Sequence, residues 1–302
     1  MSSGSKVAIS GAAVAIGAIV FTVIARRPHS TPPTHLVAVV QPHDARPAIA
    51  ADAATLRVCA DPNNLPFSNE RGEGFENALA ELVAHDLGRH VAYYWEPQRR
   101  GFIRRTLNAG ACDVVMSVPS TYEAVRTTIP YYRSSYMFVS RRDRRLHIRS
   151  LDDPRLRRLT IGIQITGDDY ENPPAAQALA TRHIIDNVRG YTVYGDYSRP
   201  NPSAGVLSAV ADGSVDVAIA WGPLAGPFAE RQRLPLDMTP VSPSADGRSL
   251  SFVFDISMGV RRDDVRLAAA LDALIARRRA EIRRLLASYG VPLVPRQAEV
   301  TG

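Results

Sequence analysis

Residues 58–82 read VCADPNNLPFSNERGEGFENALAEL. An apolar, strand-like run breaks at Asp61-Pro62, crosses a polar stretch containing Pro and Gly, and turns helical at Phe75. In the helical part Phe75, Leu79, Leu82, Val83 and Leu87 share one stripe, which stops at Gly88. A strand that passes through a loop into a helix is the opening unit of an α/β chain. In open parallel sheets ligands gather beyond the carboxyl ends of the strands, which places Asp61 to Phe67 at the mouth of a cleft.

The same alternation continues outward. VAYYWEP and DVVMSVP read as strands around a short helix in GFIRRTLNAG, and SYMFVSRR reads as a further strand. The pattern then restarts: LTIGIQI (strand), PPAAQALATRH (helix), YTVYGDY (strand), AGVLSAVADG (helix) and VDVAIAW (buried strand). Arg266–Gly290 is a long amphipathic helix with arginines mostly on its polar face, where Glu281 is spaced to pair with Arg277 or Arg284. Two similar α/β lobes imply a cleft between them, crossed at RRDRRLHIRS and SLSFVFDIS. Lobe I is expected over 55–148 and 250–295, and lobe II over 149–249. Each is a mostly parallel sheet flanked by helices.

Upstream, Lys6 precedes a nearly unbroken apolar run from Val7 to Ala25, followed by Arg26-Arg27. Its length lies between a signal-peptide core and a spanning helix, which needs about 20 apolar residues. Residues 1–27 are therefore either a signal peptide cleavable after Ala25 or a retained membrane anchor, which the two arginines favour. Either one exports the remainder of the chain. Residues 28–54 are a Pro- and Ala-rich linker.

Composition narrows the function. The net charge of +6 is spread over scattered basic residues, as on a solvated surface, with a basic face meeting an acidic protein or a membrane surface as the alternative, and no nucleic-acid motif accompanies it. There is no G-x-S-x-G, phosphate loop, nucleotide-binding glycine pattern or H-E-x-x-H. Two cysteines, Cys59 and Cys112, exclude a four-Cys zinc site. No catalytic residue, metal or cofactor is expected.

The stretches CADPNNLPFSN, GFENALAE, RRGFIRRTLNAGACDVVMSVP, TTIPYYRSSYMFVSRR, DNVRGYTVYGDY and VDVAIAWGPLAGPFA together resemble the type II periplasmic solute-binding proteins of family 3. Within that family they look like the accessory binding proteins of quinoprotein methanol and alcohol dehydrogenases, the MxaJ/XoxJ type. The resemblance spans roughly Leu56 to Pro295. It implies a two-lobed periplasmic binding protein fold and a periplasmic location. It also implies a pyrroloquinoline-quinone (PQQ) dehydrogenase as the partner bound or matured. The alternative it leaves is the substrate-binding protein of an ABC importer for a small solute; an enzyme on the same scaffold is a third. Quinoprotein dehydrogenases themselves resemble many-stranded propellers, which this chain does not.

Amino-acid receptors of this superfamily hold the ligand carboxylate with an Arg in a Thr-x-x-Arg-like turn and the amine with an Asp at a lobe-two strand end. Here Arg126 is displaced relative to Thr121, and Trp221 occupies the Asp position. Trp221 is then a cation–π surface, an apolar wall or a packed hinge residue. The ligand or partner cleft is expected to gather Asp61, Asn64, Leu65, Pro66, Phe67, Arg99, Arg100, Ser117, Pro119, Gln164, Asp168 and Trp221. Asp61 and Asn64 could equally shape their own turn. Leu65, Pro66 and Phe67 are expected at the rim as apolar anchors, and Tyr131, Tyr132 and Tyr136 in the core or at the rim. An exported chain invites a Cys59–Cys112 disulfide, since the first and third strands of such a lobe are neighbours; the alternative is two buried thiols.

Overall fold

The computed structural model describes residues 52–165, 173–194, 197–247 and 250–295. Nine strands and six helices carry the fold. The strands are β1 (Thr55–Ala60), β2 (His90–Trp95), β3 (Val114–Pro119), β4 (Tyr132–Arg141), β5 (Ile161–Ile165), β6 (Val188–Thr192), β7 (Val217–Trp221), β8 (Leu236–Pro240) and β9 (Val253–Val260). The helices are α1 (Phe75–Asp86), α2 (Phe102–Arg105), α3 (Pro174–Thr181), α4 (Gly205–Ala211), α5 (Gly222–Glu230) and α6 (Val265–Ser288).

The strands form one curled mixed sheet in the order β2-β1-β3-β9-β4-β7-β5-β6, with β8 also on β4 and the two-residue strand Arg126–Thr127 on β9. It contains two parallel trios. β2, β1 and β3 pair in parallel and are followed by antiparallel β9. β7, β5 and β6 pair in parallel and are followed by antiparallel β4. β9 and β4 pair with each other between Val253–Ile256 and Tyr132–Ser135. Beyond Ser135, β4 takes β7 as its partner, from Tyr136 to Ser140.

The apolar residues follow this division. α1 and α6 cover one face of the first trio with Leu79, Val83, Leu271, Ile275 and Ile282, all fully buried. Each such side chain is worth roughly 1.5–3 kcal/mol relative to an exposed one. Its other face holds Phe102, Leu107, Val115 and the Cys59–Cys112 disulfide, with Cα atoms 5.5 Å apart. Beside it Arg57 forks onto Asp113 at 2.6 and 3.1 Å. The second trio has a cluster on each face, one around Ile161, Ile219 and Phe252 and one around Val206, Leu207 and Ala218.

Several boundaries differ from the sequence reading. The strand expected in YTVYGDY is β6, Val188–Thr192, which starts earlier and pairs in parallel with β5 from Ile161 opposite Val188 to Ile165 opposite Thr192. α2 is one short turn, closed by the Thr106 hydroxyl donating to the Phe102 carbonyl at 2.7 Å. SLSFVFDIS contributes the long strand β9. GPLAGPFA, whose prolines and glycines mask its period, is helix α5. On α6, Glu281 meets Arg278 at 3.1 Å, while Arg277 and Arg278 both reach Asp86 of α1.

Among the described residues no helix is long and apolar enough to cross a membrane. The run Val7–Ala25, on which the signal-or-anchor expectation rests, lies outside them.

Candidate functional site

β1 ends at Ala60, and the chain folds into a small hairpin pairing Asn63–Asn64 with Ser68–Asn69. Asp61 is 1% exposed. Its Oδ1 accepts from the Asn63 amide at 2.8 Å, and its Oδ2 accepts from the Gln98 amide at 2.7 Å and from the Tyr197 hydroxyl. Asn63 Nδ2 donates to the Arg199 carbonyl at 2.8 Å, and the Asn201 amide donates back to Asn63 Oδ1 at 3.0 Å. Ser203 Oγ donates to Asn64 Oδ1 at 2.8 Å. The Arg99 guanidinium stands 4.8 Å from the Tyr197 ring centroid. The loop after β1 is thus laced to residues 197–203 by side-chain hydrogen bonds, half-buried at Asn64, Tyr197 and Asn201, buried at Ser203 and exposed at Arg199. Asp61 spends its carboxylate on this turn and lacing.

Beside the lacing opens a cleft of about 560 Å³, within the range of small-molecule sites. Its lining includes Asn64, Phe67, Glu76, Ser117, Tyr136, Gln164, Trp221 and Phe254. Two glycines set its walls. A Cβ at Gly74 would stand 2.0 Å from the Phe67 carbonyl, so only glycine lets the loop lie on the start of α1 with Phe67 turned inward. A Cβ at Gly222 would stand 2.6 Å from the Ser135 carbonyl, so α5 starts hard against β4 and holds Trp221 at the cleft. Trp221, Tyr136 and Phe254 meet with ring centroids 5.5–6.3 Å apart and interplanar angles of 56–73°. Burial pushes the Tyr136 phenol up to about 12.

Glu76 is the residue sequence reading missed. It lies in the first turn of α1 and is 5% exposed. Burial pushes its carboxyl up to about 7; a hydrogen bond from Ser117 opposes the shift and the charge of Asp61 adds to it. The signal was present: Glu76 is three, four and seven residues from Leu79, Ala80 and Val83, all fully buried, so it shares their face. The stripe drawn through Phe75 and Leu82 passed beside it.

Of the expected cleft residues, Asn64, Phe67, Ser117, Pro119, Gln164 and Trp221 line the cavity. Asp61 and Asn64 line the small recess beside it with Tyr197 and Ser203. Leu65 is half-buried and Pro66 buried. Phe67 packs on Phe75, centroids 5.2 Å apart. These three therefore form no outward apolar patch. Arg99 and Arg100 are exposed. Arg126 is exposed and donates to the Arg262 carbonyl at 2.9 Å, outside the cleft lining. Tyr131 and Tyr132 are buried, and Tyr132 and Tyr136 reach the cleft. Asp168 lies outside the described residues. Among those residues no group of His, Cys, Asp or Glu is arranged to hold a metal.

Residues 56–291 match the sequence model of the bacterial extracellular solute-binding proteins, family 3. The chain is 33% identical over 255 residues to the protein MoxJ of Methylorubrum extorquens AM1, covering 82% of this chain and 84% of that one. It is 31% identical to the protein MoxJ of Paracoccus denitrificans, covering 83% and 93%. The crystal structure of the periplasmic binding protein XoxJ from Methylobacterium extorquens AM1 superposes with a TM-score of 0.65 at 34% identity, covering 80% of this chain and all (100%) of that one.

Proposed function

The chain belongs to the bacterial extracellular solute-binding proteins, family 3, and we propose that it is the accessory protein of a PQQ-dependent methanol or alcohol dehydrogenase, binding that enzyme or helping it mature. Its fold is that of the periplasmic binding proteins. The proposed role is non-catalytic and periplasmic, with residues 1–27 as the exporting segment, cleaved or retained as a tether. We assign residues 55–148 with 250–295 to one lobe and 149–249 to the other. The separate core clusters support two lobes, and the change of partner within β4 supports a crossing there.

The observation that carries the reading is a full-sized cleft whose described lining lacks the cationic group that would hold an amino acid's carboxylate. No Lys or Arg lines it among the described residues, and the resemblance to the family's amino-acid receptors implies that Trp221 takes the place of their carboxylate. The identity to the MoxJ and XoxJ proteins over about four-fifths of the chain supports the same choice. Exposed Arg99 and Arg100 offer the partner a residue type enriched in interfaces. The formed cleft itself favours a second reading, a receptor feeding an importer.

Deleting the gene separates the two. The accessory role predicts that the dehydrogenase purified from the deletion strain is low in PQQ content or specific activity, and that a plasmid-borne copy restores it. A fully active dehydrogenase, together with lost uptake of a small solute, would replace this reading with the receptor.

A further inference from the structure

The described lining of the cleft carries one ionisable carboxylate, Glu76, and no cation; the other polar side chains, Asn64, Gln98, Ser117, Gln164 and Ser203, are neutral. Trp221, Tyr136 and Phe254 line the same cleft and form an aromatic corner. The rings meet at 56–73°, and all three residues line the cavity, which therefore has an aromatic wall. An aromatic face attracts positive charge through its quadrupole, most strongly for an indole. A carboxylate removed from water attracts it through Coulomb interaction in a weakly screened site. Both features select the same ligand charge. Among the described lining residues a ligand carboxylate would find no cationic partner, and it would share the cavity with Glu76.

We infer that the cleft binds a compact organic cation without a carboxylate, of the alkylammonium or tetraalkylammonium class, its positive centre against Trp221, Tyr136 and Phe254 and its charge balanced by Glu76. Neutral Asn64 and Gln164 would take a hydroxyl or other uncharged tail. The inference goes beyond the dehydrogenase reading and does not depend on it: ligand titration tests this one, and the enzyme's PQQ content tests that one.

The test is calorimetric titration of the purified protein with choline, with its neutral carbon isostere 3,3-dimethylbutan-1-ol, and with glycine betaine, which adds a carboxylate. Choline is expected to bind with a dissociation constant on the order of 0.1 mM or tighter, and the other two at least about tenfold more weakly. Glu76→Gln and Trp221→Leu should each weaken choline binding at least about tenfold. Glu76→Gln removes a charge that burial already disfavours, so its melting temperature should not fall; this distinguishes lost binding from unfolding. The inference is overturned if choline fails to bind at about 10 mM, if either companion ligand binds as tightly, or if Glu76→Gln binds choline unchanged.

Discussion

The hydroxyl of Tyr197 donates to the carboxylate of Asp61, a residue 136 positions earlier in the chain. The bond ties the loop after β1 to the segment leading into α4. Burial first, and then the bond to Asp61, holds the phenol above its usual range, so it remains a donor at ordinary pH. Tyr197→Phe leaves a buried carboxylate short of a donor and should cost about 1.5–3 kcal/mol. Urea unfolding measures it; a change below about 0.5 kcal/mol would show that the lacing does not depend on this bond.

Glu76 gives stability a defined pH dependence. Its carboxyl lies at about 7 in the fold, against an ordinary 4.5. The folded state therefore holds the proton more tightly. The stabilisation is complete below the unfolded value near 4.5 and is lost as pH rises through about 7, amounting to about 3 kcal/mol. The ionisable groups around it are Asp61, Tyr93, Tyr131 and Tyr132. All three phenols are raised, first by burial, and stay neutral. Glu76→Gln should remove this slope and be the more stable protein at pH 8.5. Parallel stability curves for wild type and variant would refute the assignment. Choline affinity in the wild type should likewise rise as pH passes through about 7, because the cation needs the ionised carboxylate.

The Cys59–Cys112 bond closes a loop of 53 residues' separation. Replacing both cysteines by serine should cost roughly 2–5 kcal/mol. Thiol titration of the unfolded, unreduced wild type should find no free thiol, and two titratable thiols would rule the bond out.

Standard α-amino acids should bind weakly or not at all. Among the described residues the cleft lining has no guanidinium to hold the carboxylate, a charge-assisted contact worth about 1.5–3 kcal/mol. Calorimetry showing micromolar binding of any of them would restore the amino-acid receptor.

Much of the architecture was legible because burial leaves a period in the sequence. DVVMSVP and VDVAIAW are continuous apolar runs that became strands inside the two parallel trios. The α1 stripe and the long α6 followed the same logic. Tertiary pairing was not legible. β4 changes partner midway, from β9 to β7, which is not a local property. At the site, Trp221 and Phe67 stood out as aromatics at strand and loop ends. Glu76 did not, because a charged residue in the first turn of a helix is ordinary. Its meaning comes from the cleft against which α1 is packed.

Direct titration of this protein against the purified quinoprotein dehydrogenase of the same organism, in its PQQ-free and PQQ-loaded forms, tests the proposed function most closely. A complex with at least one form is expected, with a dissociation constant on the order of 1–10 μM, and weaker binding by a variant carrying Arg99→Ala and Arg100→Ala that still unfolds in one cooperative transition. No binding to either form at about 100 μM would contradict it.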